Sequence, residues 1–89
     1  MYTFSVVIPA HNEEKYIGKC LEAIGKAAEK ARPLETEVIV VANRCTDGTA
    51  EIARQHGAAV LPNEDRSISA IRNMGVRAAS GEIIVTIDA

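Results

Sequence analysis

The 89-residue chain has no tryptophan, one phenylalanine and two tyrosines. That leaves too few aromatic faces for a stacking platform that would bind single-stranded nucleic acid. It also lacks an excess of one charge: ten Lys and Arg stand against twelve Asp and Glu, a net −2. No whole-chain field therefore draws it to nucleic acid or to an anionic membrane. The two cysteines, Cys20 and Cys45, show neither C-x-x-C nor Cys/His ligand spacing. The simple reading is a reduced, cytoplasmic compartment, with a single disulfide left open. No apolar run is longer than one buried strand, well short of the roughly 20 residues of a membrane-crossing helix. Met1 leads into strand-like sequence within three residues, with no charged leader and apolar h-region of a signal peptide. Only three prolines and six glycines occur in a chain that is 47% hydrophobic and 25% charged, which excludes disorder, collagen and linker sequence. The expectation is one domain over residues 1–89. At this length it buries roughly 60–65% of the surface its unfolded form exposes.

Several nucleotide and nucleophile motifs are missing as well. No G-x-G-x-x-G follows the first strand, and no G-x-x-x-x-G-K-[S/T] occurs, so no glycine cradle brings backbone amides onto phosphates in the dinucleotide or P-loop manner. There is no G-x-S-x-G elbow and no redox cysteine pair. Hydrolase, dehydrogenase and thioredoxin-like chemistry all lose their mechanism.

What is present alternates. Phe4 to Ile8 is a β-branched run closed by Pro9, as expected of a strand buried on both faces. Glu13 to about Lys30 carries Ile17, Leu21, Ile24 and Ala28 on one helical stripe. Asn12 is the expected N-cap, and Glu13 and Glu14 suit the positive helix start. Cys20 lies near the stripe, where a thiol is buried and inert. Glu37–Ala42 is a second strand, Ala50–His56 a short helix ended by Gly57, and Ala58–Leu61 a third, weaker strand. Ser67–Ala79 places Ile68, Ile71, Gly75 and Ala78 on one face, and Ile83–Ile87 is a fourth strand. The order β-α-β-α-β-α-β with continuously apolar strands predicts an α/β, Rossmann-like three-layer sandwich. Its parallel sheet of about four strands would run in the order 3-2-1-4, with right-handed crossovers. Because the sequence stops at Thr86-Ile87-Asp88-Ala89, beside an apolar strand, it reads as a piece of a longer chain.

In an open parallel sheet, ligands bind beyond the carboxyl ends of the strands. The segments following those ends are Pro9–Glu13, Ala42–Thr49, Pro62–Arg66 and Asp88-Ala89. Three stretches together resemble the inverting glycosyltransferases of family 2, which have a GT-A fold. Ser5-Val6-Val7-Ile8-Pro9-Ala10-His11-Asn12-Glu13-Glu14 is similar to that family's opening strand and VIPxxNE turn. Asn43-Arg44-Cys45-Thr46-Asp47-Gly48-Thr49 resembles its DDGSTDGT loop. Arg72-Asn73-Met74-Gly75, with Ala79, Gly81, Glu82 and Ile83–Asp88, resembles RNxGxxxAxGExIxxLD. Each is weak alone, but three in the right order and spacing are strong.

The resemblance implies a glycosyltransferase that takes a sugar from a nucleotide-diphosphate sugar to an acceptor hydroxyl, with this chain supplying the donor-nucleotide half. The implied nucleotide-binding residues are Pro9, Ala10, Asn12, Glu13, Asn43, Arg72 and Asp88. Asn43 stands where the family has an acidic base-reading residue; it either reads the base or is a turn residue. Glu13 either reaches a ribose hydroxyl or stabilises a helix start. Arg44 replaces the family's usual glycine and either meets a phosphate or points into water. Arg72 either faces solvent or meets pyrophosphate. Asp47 is expected as a structural N-cap. Asp88 matches the first carboxylate of an Asp-x-Asp that holds Mg²⁺ or Mn²⁺ against the diphosphate; otherwise it is simply solvated. His11 and His56 have no ligand-spaced partner. No catalytic residue is assigned, because the resemblance puts the base that deprotonates the acceptor beyond residue 89. The rival reading is a non-catalytic Rossmann-like module that pairs an exposed last strand with another chain.

Overall fold

A computed structural model describes residues 1–88. Its elements are β1 (Phe4–Ala10), α1 (Ile17–Lys30), β2 (Thr36–Asn43), α2 (Thr49–Gln55), β3 (Ala59–Asn63), α3 (Ile68–Ala78) and β4 (Ile83–Thr86). The four strands form one sheet in the order β3-β2-β1-β4, with every neighbouring pair parallel. The topology is the one the apolar runs predict.

Alternation along β1 builds two cores. Val6, Ile8 and Ala10 turn to one face and pack with Ile17 and Leu21 of α1 and Ala53 of α2. Val7 turns to the other face, where Ile39 and Val41 of β2 and Ile71 of α3 cover it. Ile8, Ile17, Val7, Val40 and Val41 are fully buried, each stabilising by roughly 1.5–3 kcal/mol relative to exposure. Helix α3 lies close to the sheet because Gly75 has no side chain. A Cβ there would meet Val7 Cγ1 at 2.3 Å and Val41 Cγ2 at 3.0 Å.

Four local readings are corrected. Strand β1 runs through Pro9 to Ala10 instead of stopping at Ile8. Thr3 and Val7 direct their carbonyls to the β4 side, so by alternation Pro9 turns its missing N–H to that side too. There β4 has already ended, at the Val7↔Thr86 register. Helix α1 begins at Ile17, not Glu13, with no side-chain cap and no acidic residue in its first turn. Asn12 is not its N-cap: it takes a left-handed φ of 51°, which asparagine tolerates better than most residues. Ile68, expected on the core face of α3, is 66% exposed; Ile71 and Gly75 carry that face.

Candidate functional site

The carboxyl ends of β1, β2 and β3 are tied into one platform. Asn12 Oδ1 accepts from the backbone N–H of Thr46 at 2.8 Å, and Cys45 Sγ lies 3.4 Å from the Ala10 carbonyl. The Glu13 N–H donates to Thr49 Oγ1 at 2.8 Å. Glu14 Oε1 accepts from Gly48 N–H at 3.1 Å. Asp47 accepts from Thr49 N–H at 2.9 Å and from Glu14 N–H at 3.3 Å, so it holds the start of α2 from the position before the Gly48 cap. The Thr49 hydroxyl first, then the backbone amides, hold the Asp47 carboxyl below its ordinary value. Glu13 is fixed here through its backbone. Its carbonyl accepts from the Tyr16 and Ile17 N–H groups at 3.0 and 2.8 Å, and Glu13 stands before the first turn of α1, not in it.

Asn43 ends β2 and is 3% exposed. Its amide nitrogen donates to Asn63 Oδ1 at 2.7 Å and to the Asp65 carbonyl at 2.6 Å. Two oxygen acceptors at one end of the amide identify that end as the nitrogen. The other end, Oδ1, takes a hydrogen bond from Arg44 Nε at 3.1 Å. Asn43 thus clasps the ends of β2 and β3, where it stands in register with Asn63. Nothing in the sequence spacing marks Asn63 and Asp65 as its partners; only the strand register brings them together. The Asn43 carbonyl, in turn, is 2.7 Å from His11 Nδ1, which puts the imidazole on the β1–β2 seam.

Arg44 takes a φ of 48°. A left-handed conformation costs a residue with a Cβ roughly 1–2 kcal/mol, which accounts for glycine being usual at the matching place in the family. The Arg44 N–H donates to the Asn63 carbonyl at 2.8 Å, fixing the turn despite that strain.

The fourth strand closes the site. Asp88 follows β4 and is 81% exposed in its side chain; Arg72 Nη2 approaches its Oδ1 at 3.4 Å. Arg72 Nε is buried with no hydrogen-bond partner among the described residues. Register and alternation set Asp88 and Asn43 on the α3 face, with Pro9 on β1 between them. Two strand spacings and two residues of register separate them, about 12 Å. The structure therefore joins Asn12 to the β2 loop and Arg72 to Asp88, and leaves Pro9 between these two groups, while the Ala10 side chain turns to the α1 core. No set of three His, Cys, Asp or Glu among the described residues can hold a metal. Asp88 fits as a single hard oxygen ligand and falls short of a coordination shell by itself.

The sequence model of "Glycosyl transferase family 2" matches residues 5–89. Among curated proteins, the chain is 38% identical over 90 residues to the glycosyltransferase AglE of Haloferax volcanii, covering 94% of this chain and 29% of that one. It is 30% identical to the poly(ribitol-phosphate) beta-N-acetylglucosaminyltransferase TarS of Staphylococcus aureus, covering 99% of this chain and 16% of that one. Among solved structures, mannosyl-3-phosphoglycerate synthase from Rubrobacter xylanophilus superposes with a TM-score of 0.87 at 27% identity, over 99% of this chain and 30% of that one. Glucosyl-3-phosphoglycerate synthase from Mycobacterium tuberculosis, in complex with Mn²⁺, UDP and glucosyl-3-phosphoglycerate, superposes with a TM-score of 0.77 at 32% identity, over 98% and 33%. The chain thus spans about a third or less of these proteins' length. The all-parallel 3-2-1-4 sheet and its carboxyl-edge loops are those of a GT-A fold, and the chain belongs to glycosyltransferase family 2.

Proposed function

We propose that this chain is the donor-nucleotide-binding part of an enzyme that moves a sugar from a nucleotide-diphosphate sugar to an acceptor hydroxyl. The observation that carries the reading is the Arg72–Asp88 pair beside the carboxyl edge, with Arg72 Nε buried and without a partner among the described residues. A buried guanidinium N–H without an acceptor costs free energy unless a ligand supplies one. A diphosphate oxygen is such an acceptor. In this reading Pro9 and the backbone of Ala10 form the floor under the nucleotide, Asn12 and Glu13 hold the rim toward the ribose, and Asn43 sets the base end. Asp88 gives one carboxylate to a Mg²⁺ or Mn²⁺ that arrives with the diphosphate. When bound, that cation neutralises charge on the departing nucleoside diphosphate. The relative's complex with Mn²⁺ and UDP supports both parts of the assignment. The acceptor and the base that deprotonates it belong to the length of the relatives that this chain does not span. Titration of GDP, UDP and ADP into the chain, with and without Mn²⁺, tests the reading. Saturable binding that Mn²⁺ strengthens is expected, and no binding of any nucleotide overturns it.

A second reading has its own observation. Ile83, Ile84 and Val85 of the edge strand β4 are 50%, 40% and 38% exposed, beside an apolar groove lined by Phe4, Val6, Ile24 and Ala27. An apolar edge of this kind pairs with another strand, so we also propose self-association through β4. Light scattering that shows a strict monomer at high concentration overturns it.

A further inference from the structure

Arg44 holds an unfavourable backbone conformation immediately after Asn43, at the carboxyl end of β2. Its Nε is committed to Asn43 Oδ1 at 3.1 Å, and among the described residues neither of its terminal nitrogens has a hydrogen-bond or carboxylate partner. The Asn43 amide nitrogen is consumed by Asn63 and Asp65, and its oxygen already receives Arg44. The group that would offer a base an acceptor is thus turned inward, and a fork of N–H donors stands in front of it.

Such a fork does not treat the bases alike. Guanine presents two adjacent acceptors, O6 and N7, which a guanidinium meets with two parallel hydrogen bonds. Adenine sets a donor beside N7, so one arm of the fork meets another N–H. Uracil separates its two carbonyl oxygens by an N–H that itself needs an acceptor, which leaves the fork one partner and that N–H none.

We infer that Arg44 selects the base of the donor, favouring guanine over uracil and adenine through its paired terminal N–H groups. The inference rests on the crevice being the nucleotide site proposed above. Its test is calorimetric titration of the chain with GDP, UDP and ADP at fixed Mn²⁺, in the wild type and in Arg44→Gly and Arg44→Lys. Glycine suits the left-handed φ, so Arg44→Gly keeps the fold. Lysine keeps the charge and loses the fork. GDP is expected to bind the wild type about tenfold more tightly than UDP or ADP. Both variants are expected to lose that ratio, GDP affinity falling about tenfold to the level of UDP and ADP, while all three nucleotides keep their diphosphate contacts. Equal binding of the three nucleotides by the wild type overturns the inference and leaves the nucleotide site standing. So does a guanine preference that survives in Arg44→Gly or in Arg44→Lys. If none of the three nucleotides binds, the nucleotide site itself fails, and the inference with it.

Discussion

The two edges of the sheet use similar residues to opposite ends. At the amino edge, the Glu37 carboxylate accepts from the Ser5 hydroxyl, from the Ser80 N–H at 2.6 Å and from the Ser80 hydroxyl at 2.9 Å. The Gly81 N–H answers Ser5 Oγ at 2.7 Å. Every partner of that cluster lies within the chain, and it locks the turn before β4 against β1 and β2. At the carboxyl edge the backbone is tied just as firmly, by Asn12, Asn43, Asp47 and Thr49. Two charged groups there, however, are left facing outward or unanswered: Arg72 Nε is buried without a partner among the described residues, and Asp88 is exposed. Two non-glycine residues with left-handed backbone, Asn12 and Arg44, occur at this edge. The difference teaches how to separate structure from site in this fold. A closed polar cluster stabilises, whereas a rigid platform carrying unmet charge is built for a ligand.

That contrast breaks first at the closed edge, where substitutions should act on stability alone. Gly81→Ala is expected to have the largest effect. A Cβ there would sit 2.6 Å from Ser5 Oγ and 2.7 Å from the Phe4 carbonyl carbon and the Ser5 nitrogen, and two of those atoms are backbone that cannot step aside. A loss of about 3 kcal/mol is a large part of a small domain's stability. Urea unfolding should show it as a midpoint shifted far down or as no cooperative transition. A midpoint within experimental error of the wild type would show that the turn before β4 is loose.

Glu37→Ala comes next, at about 2 kcal/mol, because three donors are left without their acceptor. The same site fixes a pH dependence. Burial pushes the Glu37 carboxyl up, but hydrogen bonds from Ser5, Ser80 and Gly81 together outweigh it and hold the group below its ordinary 4.5. The folded chain therefore binds fewer protons at this site than the unfolded chain. Glu37's contribution is complete above 4.5 and is lost as pH falls through and below that value. Urea midpoints at pH 6 and pH 3.5 should differ more in the wild type than in Glu37→Gln; equal differences would remove Glu37 from the acid sensitivity.

Asn43→Asp sharpens the comparison from the open edge. A carboxylate there cannot donate to Asn63 and Asp65, so two acceptors would face an anion. The expected loss is about 1.5 kcal/mol, seen in the same unfolding experiment. A variant as stable as the wild type would show that the β2–β3 clasp contributes nothing and free Asn43 for the base alone.

The fold was open to reading because its signals are periodic. Continuous apolar strands, a helical stripe at Ile17 and Leu21, and Gly57 as a stop all act within a few residues of one another. Where the reading slipped, a distant partner had overridden a local preference. Asn12 looks like a helix cap until the β2 loop supplies the Thr46 N–H for its side chain. Ile68 shares a helical face with Gly75, seven residues on, but it is the first residue of α3 and stays 66% exposed at that end of the helix. The candidate site was legible as a set of loops at the carboxyl ends of the strands, and the structure brings Arg72 and Asp88 together. The commitments of Asn43 were not legible, since they depend on β3 lying in register beside β2. The Glu37 cluster was invisible for the same reason: its members are 32 to 76 positions apart in sequence.

The smallest effect on stability is expected where the effect on function should be greatest. Asp88 is 81% exposed, and its only ion pair among the described residues is a 3.4 Å contact with an Arg72 side chain that is itself 43% exposed. A pair of that kind contributes roughly 0.5 kcal/mol or less, because water and salt screen it. Asp88→Ala should accordingly unfold at nearly the wild-type urea concentration. Its nucleotide binding should no longer respond to Mn²⁺, since a hard cation loses the one carboxylate the chain offers it. Base preference should persist, because Asn43 and Arg44 lie on β2 and its loop, across Pro9 of β1 from Asp88. Arg72→Ala should behave differently: it removes a donor to the diphosphate itself, so affinity should drop about tenfold with or without Mn²⁺. Calorimetric titration of GDP and UDP into the two variants, each at zero and saturating Mn²⁺, separates these outcomes. Undiminished Mn²⁺ dependence in Asp88→Ala would remove Asp88 from the metal site, and with it the distinction between a closed edge that holds the fold and an open edge that holds the donor.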